Sequence, residues 1–307
     1  MRGSFFKSLL EAAKADKSII VVTADMGFNL LEPFRDGLPE QYVNCGIAEA
    51  NAVTMSAGMA LMGKKVFAYS IVPFITFRCF EQARVDVCYH DADVKLVGAG
   101  GGLDYGQSGT THHSIEDIAV MRALPNISVV CPADPVEAAA LPAVLARTAS
   151  PAYVRLGRGH EPKVHQRRPS MEVGRGIEVI GNDRADVAVF STGNMLANAA
   201  AAVRRLDSEG VKARLFSMPW VKPIDERLIL SEAEGCKLIV TVEEHVYTGG
   251  LRSAVVDVLC ENDARTPVRS VSLPDAFQKT TGSQEFLRKQ NGLDADSIGK
   301  KIRSWRG

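Results

Sequence analysis

Nothing in the sequence's 307 residues is apolar for long enough to cross a bilayer, which takes roughly 18 residues in a row. The opening stretch "MRGSFFKSLLEAAKADK" lacks the apolar heart and small-residue cleavage site of a secretory signal, so no membrane partner is expected. Charge of either sign is not in excess: Lys plus Arg and Asp plus Glu are 36 each. That balance speaks against nucleic acid or an anionic lipid surface as the main partner, because both favour a basic excess. No CxxC pair occurs, and Cys45, Cys79, Cys88, Cys131, Cys236 and Cys260 lie scattered, mostly in apolar segments. Reduced thiols and a cytoplasmic setting are the expectation. Phosphate-cradling GxxxxGK[ST] and dinucleotide-binding glycine patterns are missing too, as are repeats of 20–50 residues and low-complexity tracts.

What remains is an ordinary globular composition, 46% hydrophobic and 23% charged, in a chain long enough to divide into two cores. Short β-branched runs at 18–25, 64–70, 94–100, 127–134 and 151–156 are nearly continuous in apolar residues, the pattern of strands covered on both faces. Helical periodicity falls between them, at 4–14, 48–62, 78–91, 114–122 and 135–148. Asp134 is placed to cap the last of these, with Pro135 at its first position. The polar, basic stretch 157–176 breaks the pattern, which then resumes with strands at 185–193, 211–218, 236–244 and 267–273. Helices alternate with these strands, and two short ones are expected after Gly282. Such alternation predicts an α/β protein of two doubly wound, mainly parallel-sheet domains, 1–160 and 185–307, joined by a linker at 161–184.

Three stretches hold candidates for chemistry. In "NCGIAEANAVTMSAGMALMG" one acid, Glu49, opens a helix that reads as small and apolar on every face. A Glu in a first turn complements the helix dipole and needs no further purpose; a carboxyl kept from water is also a group suited to holding a proton. In "PFITFRCFEQARVD", Phe74, Phe77 and Phe80 recur at helical spacing, as packing rings or as a binding face. In "GAGGGLDYGQSGTTHHSIED" a glycine-rich loop runs into a helix start, with Ser114 and Asp117 at capping-box spacing and His112 just before it. The loop reads equally as plain surface.

Together, "GIAEANAV", "FITFRCFEQA", "GQSGTTHHSIEDIAVMRALPNISVVCPAD", "PAYVRLGRG" and "VEEHVYTGGL" resemble, in this order, the C-terminal half of the transketolase family. That half comprises a pyrimidine-binding domain and a C-terminal domain. The resemblance implies that Glu49 contacts the aminopyrimidine ring of thiamine diphosphate, that Phe77 and Phe80 stack on it, and that Asp25 belongs to the same cofactor pocket. A carboxyl beside the ring nitrogen would help draw a proton from the adjacent thiazolium, which then serves as electron sink. His112 matches a His contacting substrate oxygens, although "GTTH" stands where the family has "GPTH". Arg158 matches an arginine that binds a substrate phosphate, and Arg2 lies upstream of Asp25 as a second such arginine does; it also reads as a loose terminal residue. Ser108 replaces the family's Asp in the substrate site and Gly100 replaces a His, so an ordinary pentose phosphate is in doubt. Glu243 and His245 read as structural.

The "GDG" motif and the downstream Asn that hold the diphosphate through Mg²⁺ in full-length members have no counterpart here. The resemblance therefore implies no metal ligand in this chain. It implies a partner subunit carrying diphosphate and ion, an α2β2 assembly, and transfer of a two-carbon ketol unit from a ketose to an aldehyde. A β subunit of a 2-oxoacid dehydrogenase or synthase-type enzyme, and a non-catalytic scaffold, are the alternatives.

Overall fold

In the computed structural model, which describes residues 1–183 and 185–306, the chain forms two mostly parallel sheets. The expected limits at residues 184 and 307 lie outside the described residues. The strands are β1 (Ile19–Thr23), β2 (Tyr42–Asn44), β3 (Lys65–Ile71), β4 (Val94–Ala99), β5 (Ser128–Val130), β6 (Ala152–Leu156), β7 (Ile177–Ile180), β8 (Val187–Ser191), β9 (Ala213–Ser217), β10 (Trp220–Lys222), β11 (Leu238–Val246) and β12 (Val268–Leu273). The first sheet runs β10-β5-β6-β4-β3-β1-β2 and the second β12-β11-β8-β9-β7.

Each sheet is covered on both faces, as its unbroken apolar strands require. Ile20, Val22, Val66 and Ala68 join one core, while Ile19, Val21, Phe67 and Tyr69 join another on the opposite face. The second sheet divides the same way, Val187 and Val189 on one side, Ala188 and Phe190 on the other. Period-two alternation sends neighbours to opposite faces, so two helical layers clamp each sheet. These are two doubly wound domains, as the alternation of elements predicts.

Two antiparallel strands depart from the expected layout. β7 lies inside the expected linker, and pairs with β9 through Ile177–Ser217 and Glu178–Phe216. β10 belongs to the second half of the chain yet pairs with β5 of the first sheet, Trp220 facing Val130 and Lys222 facing Val129. Neither is longer than four residues, too short for periodicity to reveal. The basic segment before β7 is not a free surface either. Asp134 caps the helix Pro135–Leu145 through Oδ1, as expected, and its Oδ2 accepts from the Val164 and His165 amides at 2.8 and 2.9 Å. His165 Nε2 lies 2.7 Å from Glu137 Oε1, fixing this segment to the first domain.

Three helical expectations change. The helix Glu49–Leu61 is not buried all round: Asn51, Thr54, Met55 and Leu61 face outward, followed by Met62 at 83% exposure. Small apolar side chains on every face look the same in sequence whether or not a layer covers them. The run expected as one helix at 78–91 is broken into Val72–Ile75, Phe80–Gln82 and a wider π turn at Ala83–Cys88, so its three Phe rings do not share one face. The helix after the glycine-rich loop starts at Asp117, without Ser114 as its cap. Ser114 instead exchanges two backbone hydrogen bonds with Gly102. Asp117 is drawn into the core, accepting from Tyr153 Oη at 2.6 Å and Arg155 Nε at 2.8 Å. A buried carboxylate gains more from a buried guanidinium than from a capping box.

Candidate active site

The segments that follow β2, β3, β4 and β6 all leave from one edge of the first sheet, because these strands are parallel. Ligands of open α/β sheets bind beyond the carboxyl ends of such strands. After β2 a turn through Gly46, at φ +72°, delivers Glu49 to the first turn of its helix, with 4% of its surface exposed. Ser70, at the end of β3, donates to Glu49 Oε1 at a long 3.5 Å.

Glu49 is not alone. Arg78 Nη1 donates to Glu49 Oε2 at 2.7 Å, and its guanidinium carbon lies 4.3 Å over the Phe74 ring. Phe74 meets the His112 ring edge-on at 5.2 Å, and His112 tilts against Tyr105 at 5.8 Å. Tyr105 in turn carries the Arg158 guanidinium, 4.7 Å above its ring. An unbroken row Glu49–Arg78–Phe74–His112–Tyr105–Arg158 thus runs along the strand ends from a buried acid to a free cation. Arg78, Phe74 and Tyr105 are the members to which the sequence motifs assign no role; only the helical break at 76–79, invisible in the periodicity, turns the first two toward Glu49 and His112.

Tyr105 also explains Gly100. That residue has φ +82°, and a Cβ built on it would fall 2.0 Å from the Tyr105 ring. The place where the family carries a histidine is filled here by the tyrosine from five residues on.

Beyond Tyr105 lies a cleft of about 410 Å³, lined by Arg2, Asp104, Gln107, Arg158, His160 and Gln284 among others. Arg2 and Arg158 therefore do share one site. Burial alone would lower the Arg2 pKa, but Tyr69, Tyr105 and Asp104 beside it raise it overall. The Arg158 amide donates to Asp104, and neither guanidinium has a carboxylate within ion-pair distance among the described residues. Two unpaired guanidinium groups facing one cleft make a receptor for an anion.

Other expected residues stand outside the row. Asp25 is exposed at the end of β1, where its carboxylate accepts from Asn44 Nδ2 at 3.1 Å. Ser108 ends a 3₁₀ turn, its side chain exposed and off the lining of the cleft. Phe77 is half-buried, and Phe80 packs against the core. Glu243 and His245 are structural: Glu243 accepts from the Leu251 and Arg252 amides at 2.7 and 2.9 Å, and His245 Nε2 accepts from the Ala119 amide at 3.3 Å.

A carboxylate with an aromatic face beside it suits a flat, hydrogen-bonding ring, and here a planar guanidinium already holds both positions. A thiamine pyrimidine fits that donor set. No three His, Cys, Asp or Glu side chains converge as a metal site among the described residues, so this chain offers no fit for the ion of a diphosphate.

Comparison with known proteins agrees with this geometry. The family model described as transketolase, pyrimidine binding domain, matches residues 1–163, and transketolase, C-terminal domain, matches 177–298. One of the two subunits of an apulose-4-phosphate transketolase from Phocaeicola vulgatus is 39% identical over 301 residues, covering 97% of this chain and 95% of that protein. A 6-deoxy-6-sulfo-D-fructose transketolase subunit of Clostridium sp. (strain MSTE9) is 33% identical, covering 97% and 92%. A solved structure described as a split gene transketolase, inactive beta4 tetramer, superposes with a TM-score of 0.91 at 34% identity, over 99% of this chain and 97% of that one.

Proposed function

This chain belongs to the transketolase family, as its pyrimidine-binding and C-terminal half, and from that premise we propose that it is the ketol-transferring subunit of a split thiamine-diphosphate enzyme. The observation that carries the reading is the row from Glu49 to Arg158, since it joins a ring-binding position to an anion-binding one along one edge of the sheet.

Thiamine diphosphate, when bound, supplies the electron sink for breaking a carbon–carbon bond next to a carbonyl. Glu49 would exchange a proton with the pyrimidine nitrogen from its sheltered position. Phe74 is the ring we assign to the pyrimidine face, with Phe77 as a second candidate; Phe80 supports the turn from the core side. Asp25 borders the entrance. His112, between Phe74 and Tyr105, faces the substrate oxygens, and Arg158 with Arg2 holds the anionic end of the sugar. Ser108 borders that end of the site from its exposed turn.

We assign the diphosphate and Mg²⁺ to a partner subunit carrying the GDG and Asn motifs, within an α2β2 assembly in the cytoplasm. Support comes from the outward apolar face beside Glu49, where Ile47 is 82% exposed and Leu61 59%. Uncovered apolar groups of this size mark a protein interface. Among the described residues no helix is long and apolar enough to cross a membrane. The domains on this reading are 1–160 and 185–307, with 161–184 between them.

The test combines this chain with a GDG-bearing partner, thiamine diphosphate and Mg²⁺. Ketol transfer from a ketose to an aldehyde, needing both chains, is the expected result. Release of CO₂ from pyruvate would place the chain with the dehydrogenase and synthase subunits, and cofactor affinity unchanged by adding this chain would make it a scaffold.

A further inference from the structure

The anion cleft carries its own acid. Asp104 lies inside it, between the two arginines in the lining, with its carboxylate accepting from the Arg158 amide. The other charges nearby are already matched: Glu244 is paired with Arg288, and Glu161 with the amine of Met1. The cleft's uncommitted charge is thus two guanidinium groups and one carboxylate, a net of one positive charge.

We propose that Asp104 sets the charge class of substrate this site accepts, favouring a tail that is a permanent monoanion, such as a sulfonate, over a phosphate dianion. The proposal rests on Arg2 and Arg158 being the tail anchors. A monoanion neutralises the cleft and leaves nothing over. A phosphate monoester carries close to two charges above neutrality, its second ionisation falling near pH 6, and so meets an uncompensated carboxylate. The cleft can relieve that repulsion only if Asp104 takes up a proton. Burial already pushes this carboxyl up to about 6, with Glu244 and Glu161 acting in the same direction and the Arg158 amide and Arg288 in the opposite one. Arg2, Tyr69 and Tyr105 complete the ionisable groups around it. Binding that requires such protonation weakens about tenfold for each pH unit above that value.

The experiment is titration calorimetry on the full chain with glycerol phosphate and with dihydroxypropane sulfonate, at pH 7 and 8, in two buffers of different ionisation enthalpy. The expected result is that the phosphate binds with uptake of close to one proton and weakens about tenfold between the two pH values, while the sulfonate shows neither effect. Asp104→Asn keeps an oxygen for the Arg158 amide; it should abolish the uptake and strengthen phosphate binding at pH 8 by tenfold or more. Asp104→Ser checks the same outcome with a smaller side chain, and the buffer comparison on the unaltered protein needs no variant. An unchanged phosphate-to-sulfonate ratio in Asp104→Asn overturns the charge selection alone. Failure of both probes to bind, or binding untouched by Arg158→Ala, overturns the anchors and this proposal with them.

Discussion

Arg78 and Glu49 form an unequal pair: the arginine side chain is 50% exposed, the glutamate 4%, with 2.7 Å between them. The acid is built into the protein and its partner is not. Solvent weakens a bond to a half-exposed guanidinium, typically to well under about 1 kcal/mol, so Arg78 can be exchanged for another donor while Glu49 stays in place. The geometry of Arg78, flat over Phe74 and bonded to the carboxylate, is that of a bound pyrimidine.

Glu49→Gln should lower ketol transfer in the assembled enzyme by about 10³-fold, in the range for loss of a positioned acid–base group. The amide retains a hydrogen bond to Arg78, so the thermal midpoint should barely move. Activity within tenfold of the parent would remove Glu49 from the mechanism.

Arg78→Ala should tighten thiamine diphosphate binding, because the cofactor then displaces no ion pair and no ring-stacked cation. The two contacts together suggest a gain of about three- to tenfold. Calorimetry with the partner present measures it directly. Weaker binding would mean that Arg78 helps to hold the cofactor rather than preceding it.

Asp117→Ala should be the costly change in the core. It leaves Arg155, only 4% exposed, without its carboxylate and Tyr153 without an acceptor. Losing one partner of a buried pair costs about 3–5 kcal/mol. Urea unfolding would show it, and a loss below about 1 kcal/mol would refute the account.

His245 should make the fold acid-sensitive. Burial lowers its pKa from 6.5 to about 4, since both ring nitrogens are engaged, Nε2 accepting from Ala119 and Nδ1 directed at the Val246 carbonyl at 2.7 Å. A depressed folded-state pKa contributes stability that is present above 6.5 and is lost as pH falls toward 4, on the order of 3 kcal/mol at most. His245→Gln should flatten that slope when unfolding is followed from pH 7 down to 4.5. An unaltered slope would assign the acid sensitivity to other groups.

Much of this was legible in the sequence. Five-residue runs such as "IIVVT" can hardly be anything but strands covered on both faces, and Asp134 before Pro135 fixed the start of its helix. Glu49, His112 and Arg158 were recognisable because their local motifs survive without neighbours. Arg78 and Tyr105 were not, since what gives them a role is a third residue brought from elsewhere: Glu49 from after β2, and Gly100 with no side chain to obstruct a ring. Asp117 misled in the opposite way, its local spacing promising a cap while Arg155, distant in the chain, claimed the carboxylate. Local patterns mark positions reliably; they do not reveal which distant group will compete for them.

Because Trp220 and Lys222 lie against Val130 and Val129, the second half of the polypeptide supplies the edge of the first half's sheet. A fragment ending near residue 160 would bare that edge and leave Val129 and Val130 open to strangers, which is how soluble domains come to aggregate. Dissecting this molecule at its apparent waist should therefore yield two sticky pieces in place of two working ones.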